Sequence, residues 1–168
     1  MPLVKSVLEK NLLDWASNKK TYLTGAQSAA AFIDAYDLYA KAAISGGASP
    51  ASTDAGKAAF VALITAAIAS PIGVPGVFEV AMAAGLSAYW NAIIWSPANG
   101  GPCTTLPPGP VPATVTPLLL ANATAALAGA DDIAYTKGVA NALTAGMVGV
   151  STITILPTPA PPLILPVT

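Results

Sequence analysis

The sequence predicts a mainly α fold: an alanine-rich helical bundle with a long proline-rich irregular segment, a short C-terminal strand and an extended tail. Three observations predict it. Of 168 residues, 54% are hydrophobic but only 7% are aromatic, so the apolar excess is largely alanine, the strongest helix former. Apolar residues recur at steps of three and four through several stretches, the period of one helix face. Prolines gather in residues 96–117 and 157–168, where a helix is broken or excluded. A chain of this length makes one domain with a real core; residues 1–156 are assigned to it and residues 157–168 to the tail.

The first helix is expected over residues 3–16. Val4, Val7, Leu8, Leu12 and Trp15 make its apolar face, and Lys5, Glu9, Lys10 and Asp14 lie between them. A second runs over residues 25–44, opened by a capping box of Thr24 and Gln27 and stopped by Gly46 and Gly47. Its buried stripe is Phe32, Ile33, Tyr36, Tyr39, Ala40 and Ala43. After a loop over residues 46–53, Asp54 opens a third helix with Phe60, Leu63, Ile64 and Ile68. A break at residues 70–76 leads to a fourth, residues 77–95, carrying Phe78, Met82, Leu86, Tyr89, Trp90, Ile93 and Ile94.

Residues 96–117 hold seven prolines, and the segment is expected to be extended, partly polyproline-like and pinned across a surface. Thr116 and Pro117 read as the cap and first position of a fifth helix ending near Gly129. Asp131 and Asp132 open a sixth, reaching about Val148, with their charge favourable to its N-terminus. Residues 150–156 alternate and are β-branched, so they read as a strand. The tail interleaves five prolines with Leu163, Ile164, Leu165 and Val167. A stiff, apolar tail suits a clasp that lies along a neighbour or adds to its sheet edge.

Charge is scarce. Charged residues make up 9% of the chain, against about 25% in an average soluble domain. A monomer this poor in charge exposes broad apolar surface, and such surface marks contacts. The seven cations are all Lys; with no Arg, no basic stripe and a net charge of -1, nucleic acid is not expected as a partner. Charged residues near the N-terminus leave no apolar core for a secretion signal, so none is expected.

The same poverty limits chemistry. There is no His, which removes the Ser-His-Asp and Cys-His mechanisms and His-bearing zinc sites. Cys103 is the only cysteine, so no intrachain disulfide exists, and nothing near it in sequence activates a thiolate. Asp34 and Asp37 share a helix face and offer either paired carboxylates or a solvated face with Asp37 paired to Lys41. Lys137 reads as a surface lysine. Asn122-Ala123-Thr124 matches a glycosylation sequon, but it falls inside an expected helix. No catalytic, cofactor-binding or metal site is expected, and no small-molecule substrate.

Several stretches carry a resemblance. Met1-Pro2-Leu3 leads straight into an amphipathic helix, AAFIDAYDLYAKAAISGG ends in glycines, SAYWNAIIWSP is an aromatic helix end, and STITILP is a terminal strand. In this style the chain resembles the small Ala/Gly/Pro-rich virion structural proteins of tailed bacteriophages and related contractile particles. The resemblance implies a non-catalytic subunit of a head, neck, tail or baseplate, assembled in the host cytoplasm, with its own copies or other structural proteins as partners. The residues expected to meet them are Pro107, Pro110, Pro157, Pro161, Leu163, Ile164, Leu165 and Val167.

A rival reading is a membrane-active helical hairpin, holin-like or pore-associated, because only Glu79 is charged between Ala58 and Trp95. Against it, residues 58–69 are shorter than the roughly 20 needed to span, and flanking Lys clusters are missing. An enzyme would need a cleft gathering Asp34, Asp37, Glu79 or Asp131.

Overall fold

In the computed structural model, residues 3–18, 24–43, 49–69, 76–96, 103–105, 111–147, 152–155 and 163–166 are described. The chain is mainly helical, as its composition predicts. Helix α1 spans Lys5–Asn18, α2 Gly25–Ala40, α3 Asp54–Ile68, α4 Val77–Asn91, α5 Val111–Leu127 and α6 Asp132–Ala145. Strand β1 (Ser49–Ser52) pairs antiparallel with β2 (Ile94–Ser96), while β3 (Cys103–Thr105), β4 (Thr152–Ile155) and β5 (Leu163–Pro166) form an antiparallel sheet in the order β3-β4-β5. Helices α3 and α4 pack most extensively; α5 lies on α4 and α6, and α1 on α2 and α6.

The helix starts follow their caps. Thr24 accepts from the Gln27 backbone N–H at 3.2 Å, and Gln27 Oε1 accepts from the Thr24 N–H at 3.0 Å, closing the expected box. Asp131 Oδ1 accepts from the Ala134 N–H at 2.7 Å, capping α6 while Asp132 adds charge to its first turn. Glu79 folds back to accept from the Gly76 N–H at 2.8 Å. Gly76 has φ 117°, a conformation that suits glycine alone.

Among the described residues, eight aromatic rings form one contiguous cluster. It runs from Trp15 through Phe32, Phe60, Tyr36 and Tyr89 to Trp90 and Trp95, mostly edge to face at centroid distances of 5.2–6.4 Å. Alanine and glycine fill the space between. A Cβ at Gly56 would strike the Tyr89 carbonyl oxygen, and one at Gly85 would strike the Phe60 ring. These two glycines set how closely α3 and α4 approach.

Five local expectations are corrected. Helix α4 stops at Asn91 rather than running to Trp95: Pro97 disfavours helical backbone at Ser96, and β1 takes up the freed backbone groups of β2. Trp95 then turns inward to stack on Trp90 at 6.1 Å, and Ile94 faces outward. The expected loop over residues 46–53 contains β1, which tolerates Pro50 at an edge, with a bulge between Pro50 and Ser52. Residues 103–105 are a strand.

Helix α5 begins at Val111, not at Pro117, and takes Pro117 inside it. Pro117 lies opposite the seam formed by buried Val115 and Leu119, so the Ala113 carbonyl that loses its usual i+4 donor is on an exposed turn. Burying Val115 and Leu119 contributes roughly 1.5–3 kcal/mol each, enough to offset about 3 kcal/mol for an interior proline. In α1 the buried face is Leu8, Leu12 and Ala16, while Val4 and Val7 are exposed.

Gly56→Ala and Gly85→Ala should both destabilise the fold. Alanine gains about 1 kcal/mol of helix propensity, but overpacking against a backbone carbonyl or a buried ring costs about 1–3 kcal/mol. Urea titration followed by circular dichroism should show a lower midpoint for each.

Candidate functional site

The chain's polar chemistry concentrates where α2, α3 and α4 meet. Asp37 lies on the α2 face that the aromatic cluster covers and is only 3% exposed. The expected solvated carboxylate is therefore corrected: its pairing with Lys41 is present, but the group itself is buried. Tyr89 donates its hydroxyl to Asp37 Oδ1 at 2.7 Å. Lys41 Nζ lies 2.7 Å from Oδ2 and Lys57 Nζ 3.8 Å from it. Lys57 also pairs with the exposed Asp34 at 2.7 Å, so one lysine of α3 holds both acids of α2.

Burial by itself would raise the Asp37 pKa. Hydrogen bonds from Lys41 and Tyr89, with the nearby Thr53 hydroxyl and the Lys41 charge, outweigh burial and hold it below the ordinary carboxylate value. Tyr89 is pushed far above the ordinary phenol value, by burial first and then by the Asp37 carboxylate that its proton serves. Lys57 is raised by its bond to Asp34, against a smaller opposing effect of burial. Thr53 Oγ1 is buried beside this group but meets no partner with good hydrogen-bond alignment. One residue along each helix, Trp90 Nε1 donates to the Tyr36 hydroxyl at 2.7 Å. Consecutive residues of α2 thus bond consecutive residues of α4.

This arrangement positions helices. Asp37 is ionised with its acceptors occupied, and Tyr89 holds its proton, so neither is poised to exchange a proton near neutral pH. The three other acids that an enzyme cleft would gather are engaged locally: Glu79 at Gly76, Asp131 at Ala134, Asp34 with Lys57. Among the described residues, no three His, Cys, Asp or Glu side chains come together.

The bundle also holds an apolar cavity of about 70 Å³ between α1, α2, α3, α4 and α6. Trp15, Phe32, Ile68, Phe78, Met82 and Tyr135 are among its walls, which include no carboxylate, amine or thiol. Its polar groups are largely committed: Trp15 Nε1 donates to the Ser28 carbonyl at 3.1 Å, and Thr136 Oγ1 to the Asp132 carbonyl at 2.6 Å.

The surface is the other feature. Among the described residues ten large apolar side chains are exposed, with at least one on every helix. Leu127, at 77%, and Ile133 flank the α5–α6 turn at Gly129, whose φ is 103°. Leu38 on α2 is 66% exposed. No described helix is long and apolar enough to cross a membrane.

Of the expected contact residues, Leu163, Ile164 and Leu165 lie on β5, where Ile153 faces Leu165, Thr154 faces Ile164 and Ile155 faces Leu163. Within this chain, then, that part of the tail adds to its own sheet. Pro107, Pro110, Pro157, Pro161 and Val167 lie outside the described residues, as do the Gly46–Gly47 helix stop and most of the break at residues 70–76. Two contributions escaped the sequence reading. Lys57 carried no pattern linking it to α2. Asn122, noted only within a sequon, donates to the Tyr135 carbonyl at 2.9 Å and fills the space a Cβ at Gly138 would need.

No protein-family model matches the chain, no curated protein matches its sequence, and no solved structure matches its fold.

Tyr89→Phe should cost about 1.5–3 kcal/mol, the worth of a hydrogen bond to a charged group, read by urea denaturation at neutral pH. The Asp37 pKa is lower folded than unfolded, so its ionisation stabilises the fold fully above the unfolded value, about 3.9. That contribution is lost as pH falls through the folded value. The stability gap between the unaltered chain and Asp37→Asn should therefore be widest near neutrality and narrow below about pH 4.

Proposed function

We propose that the chain is a non-catalytic structural subunit of a multi-subunit particle, and that it works by packing against copies of itself or other structural proteins. The carrying observation is the exposed apolar side chain on every helix of a chain with 9% charged residues. Isolated apolar residues are ordinary on a protein surface. Ten of them, distributed this widely with so little charge between, make a surface suited to burial by neighbours.

The engagement of the acids supports the same reading. The charged groups of the core hold helices in place, and the cavity offers nothing to activate or orient a substrate. In composition and terminal architecture the chain resembles tailed-phage virion proteins, so a head, neck, tail or baseplate position in a virion is the setting we propose. The sheet end is the part of the surface where the C-terminal residues would meet a neighbour.

Expressed without detergent, the chain should form a defined oligomer, measured by light scattering coupled to size exclusion. Strict partitioning into membranes would instead favour a membrane-active hairpin and sink this reading. Deleting residues 157–168 should lower the oligomer's mass or raise its dissociation concentration. Helical circular dichroism should be retained, because the helices pack without β5.

A further inference from the structure

Between β4 and β5 the local chemistry of the chain opposes its pairing. The strands are antiparallel neighbours, with Ile155 opposite Leu163. Residues 156–162 join them, a connection of seven residues with the sequence Leu-Pro-Thr-Pro-Ala-Pro-Pro. Hairpin connections are usually two to five residues, built on Gly, Asn or Asp that supply positive φ. This connection has four prolines and none of those residues. Each proline fixes its own φ and pushes the residue before it toward extended backbone. The intrinsic preference of the segment is a polyproline rod, about 3.1 Å per residue and so roughly 22 Å in all.

The strand beyond that connection is short. Strand β5 is four residues long, and its main packing partner is β4. The ladder it makes is available unchanged from any second copy, because β4 offers the same backbone in the same register. Pro166 lies opposite Thr152 and has no N–H to give. It therefore suits the outermost strand of a sheet. The exchangeable surface is the β4 edge beneath β5.

We propose that β5 is exchanged between copies: Leu163–Pro166 of one chain pairs with Thr152–Ile155 of another, in the register seen within the chain. The occupant of the β4 edge is thus a second copy of this chain. Exchange keeps every β4–β5 hydrogen bond and suits a connection whose sequence favours extended backbone, so the cost of moving from the intrachain to the interchain pairing is small. Reciprocal exchange closes a dimer, and one-directional exchange generates a ring or a filament. The proposal rests on the reading of the chain as an assembly subunit and names the contact through which it assembles.

Single-cysteine chains test it. In a Cys103→Ser background, Thr154→Cys is placed on one chain and Ile164→Cys on another, and the two are co-expressed and mildly oxidised. These positions face each other across the β4–β5 ladder, and cross-strand neighbours fall within disulfide reach. A disulfide joining the two different chains is expected on a non-reducing gel. The proposal is overturned if no mixed dimer forms, whether the double variant Thr154→Cys/Ile164→Cys closes within one chain or fails to close.

Light scattering on the unaltered chain separates the two levels. An oligomer without the mixed disulfide overturns exchange and leaves the assembly reading standing, whereas a monomer overturns both. In a second variant, Asn-Gly replaces residues 156–162, keeping Ile155 opposite Leu163 across a two-residue turn. Loss of the mixed disulfide is expected there; its persistence would overturn the role given to the proline connection.

Discussion

Asp37 is a carboxylate buried among aromatic rings in a chain that has few charges, and three helices are fixed by what its burial demands. A desolvated charge must be paired and hydrogen-bonded. Here Tyr89 of α4, Lys41 at the end of α2 and Lys57 of α3 answer that demand together. The Tyr89 ring that carries the hydroxyl also packs on Tyr36, Phe60 and Trp90, so polar and apolar constraints act through one side chain. The Trp90–Tyr36 bond repeats the linkage one residue along. Two successive bonds between the same helices fix rotation as well as distance.

The aromatic cluster explains how an alanine-rich chain obtains a unique core. Alanine faces alone slide over one another, because small side chains interlock little. A few large rings placed centrally give the bundle its shape, and alanine and glycine let the helices close around them. Gly56, Gly85 and Gly138 are the sites where the fit is tightest, each under a carbonyl, a ring or an amide of the facing helix. Asn122 over Gly138 joins α5 to α6 with the same economy.

Inside and outside therefore follow different logics. The interior uses its charged and phenolic groups to hold helices, which leaves them committed. The exterior is different: exposed apolar side chains stand on every helix, and β5 follows a connection whose sequence holds four prolines. The proposed assembly role and the proposed strand exchange both belong to that exterior.

The sequence by itself determined the mainly helical fold and the starts of α2, α3, α4 and α6. Those features are local: capping by Thr24 and Asp131 and the spacing of Phe32, Tyr36 and Tyr39 all act within a few residues. It misjudged places where local rules are overruled from a distance. Pro117 entered a helix because Val115 and Leu119 are buried on the opposite side, and residues 94–96 left one because β1 pairs with them. Asp37 read as a surface acid, since periodicity places a side chain on a face but does not say what covers that face. Only the tertiary structure brought Tyr89 and Lys57 to it, across tens of residues of chain. That decision was left to packing because a buried charge is tolerated only where several distant groups converge.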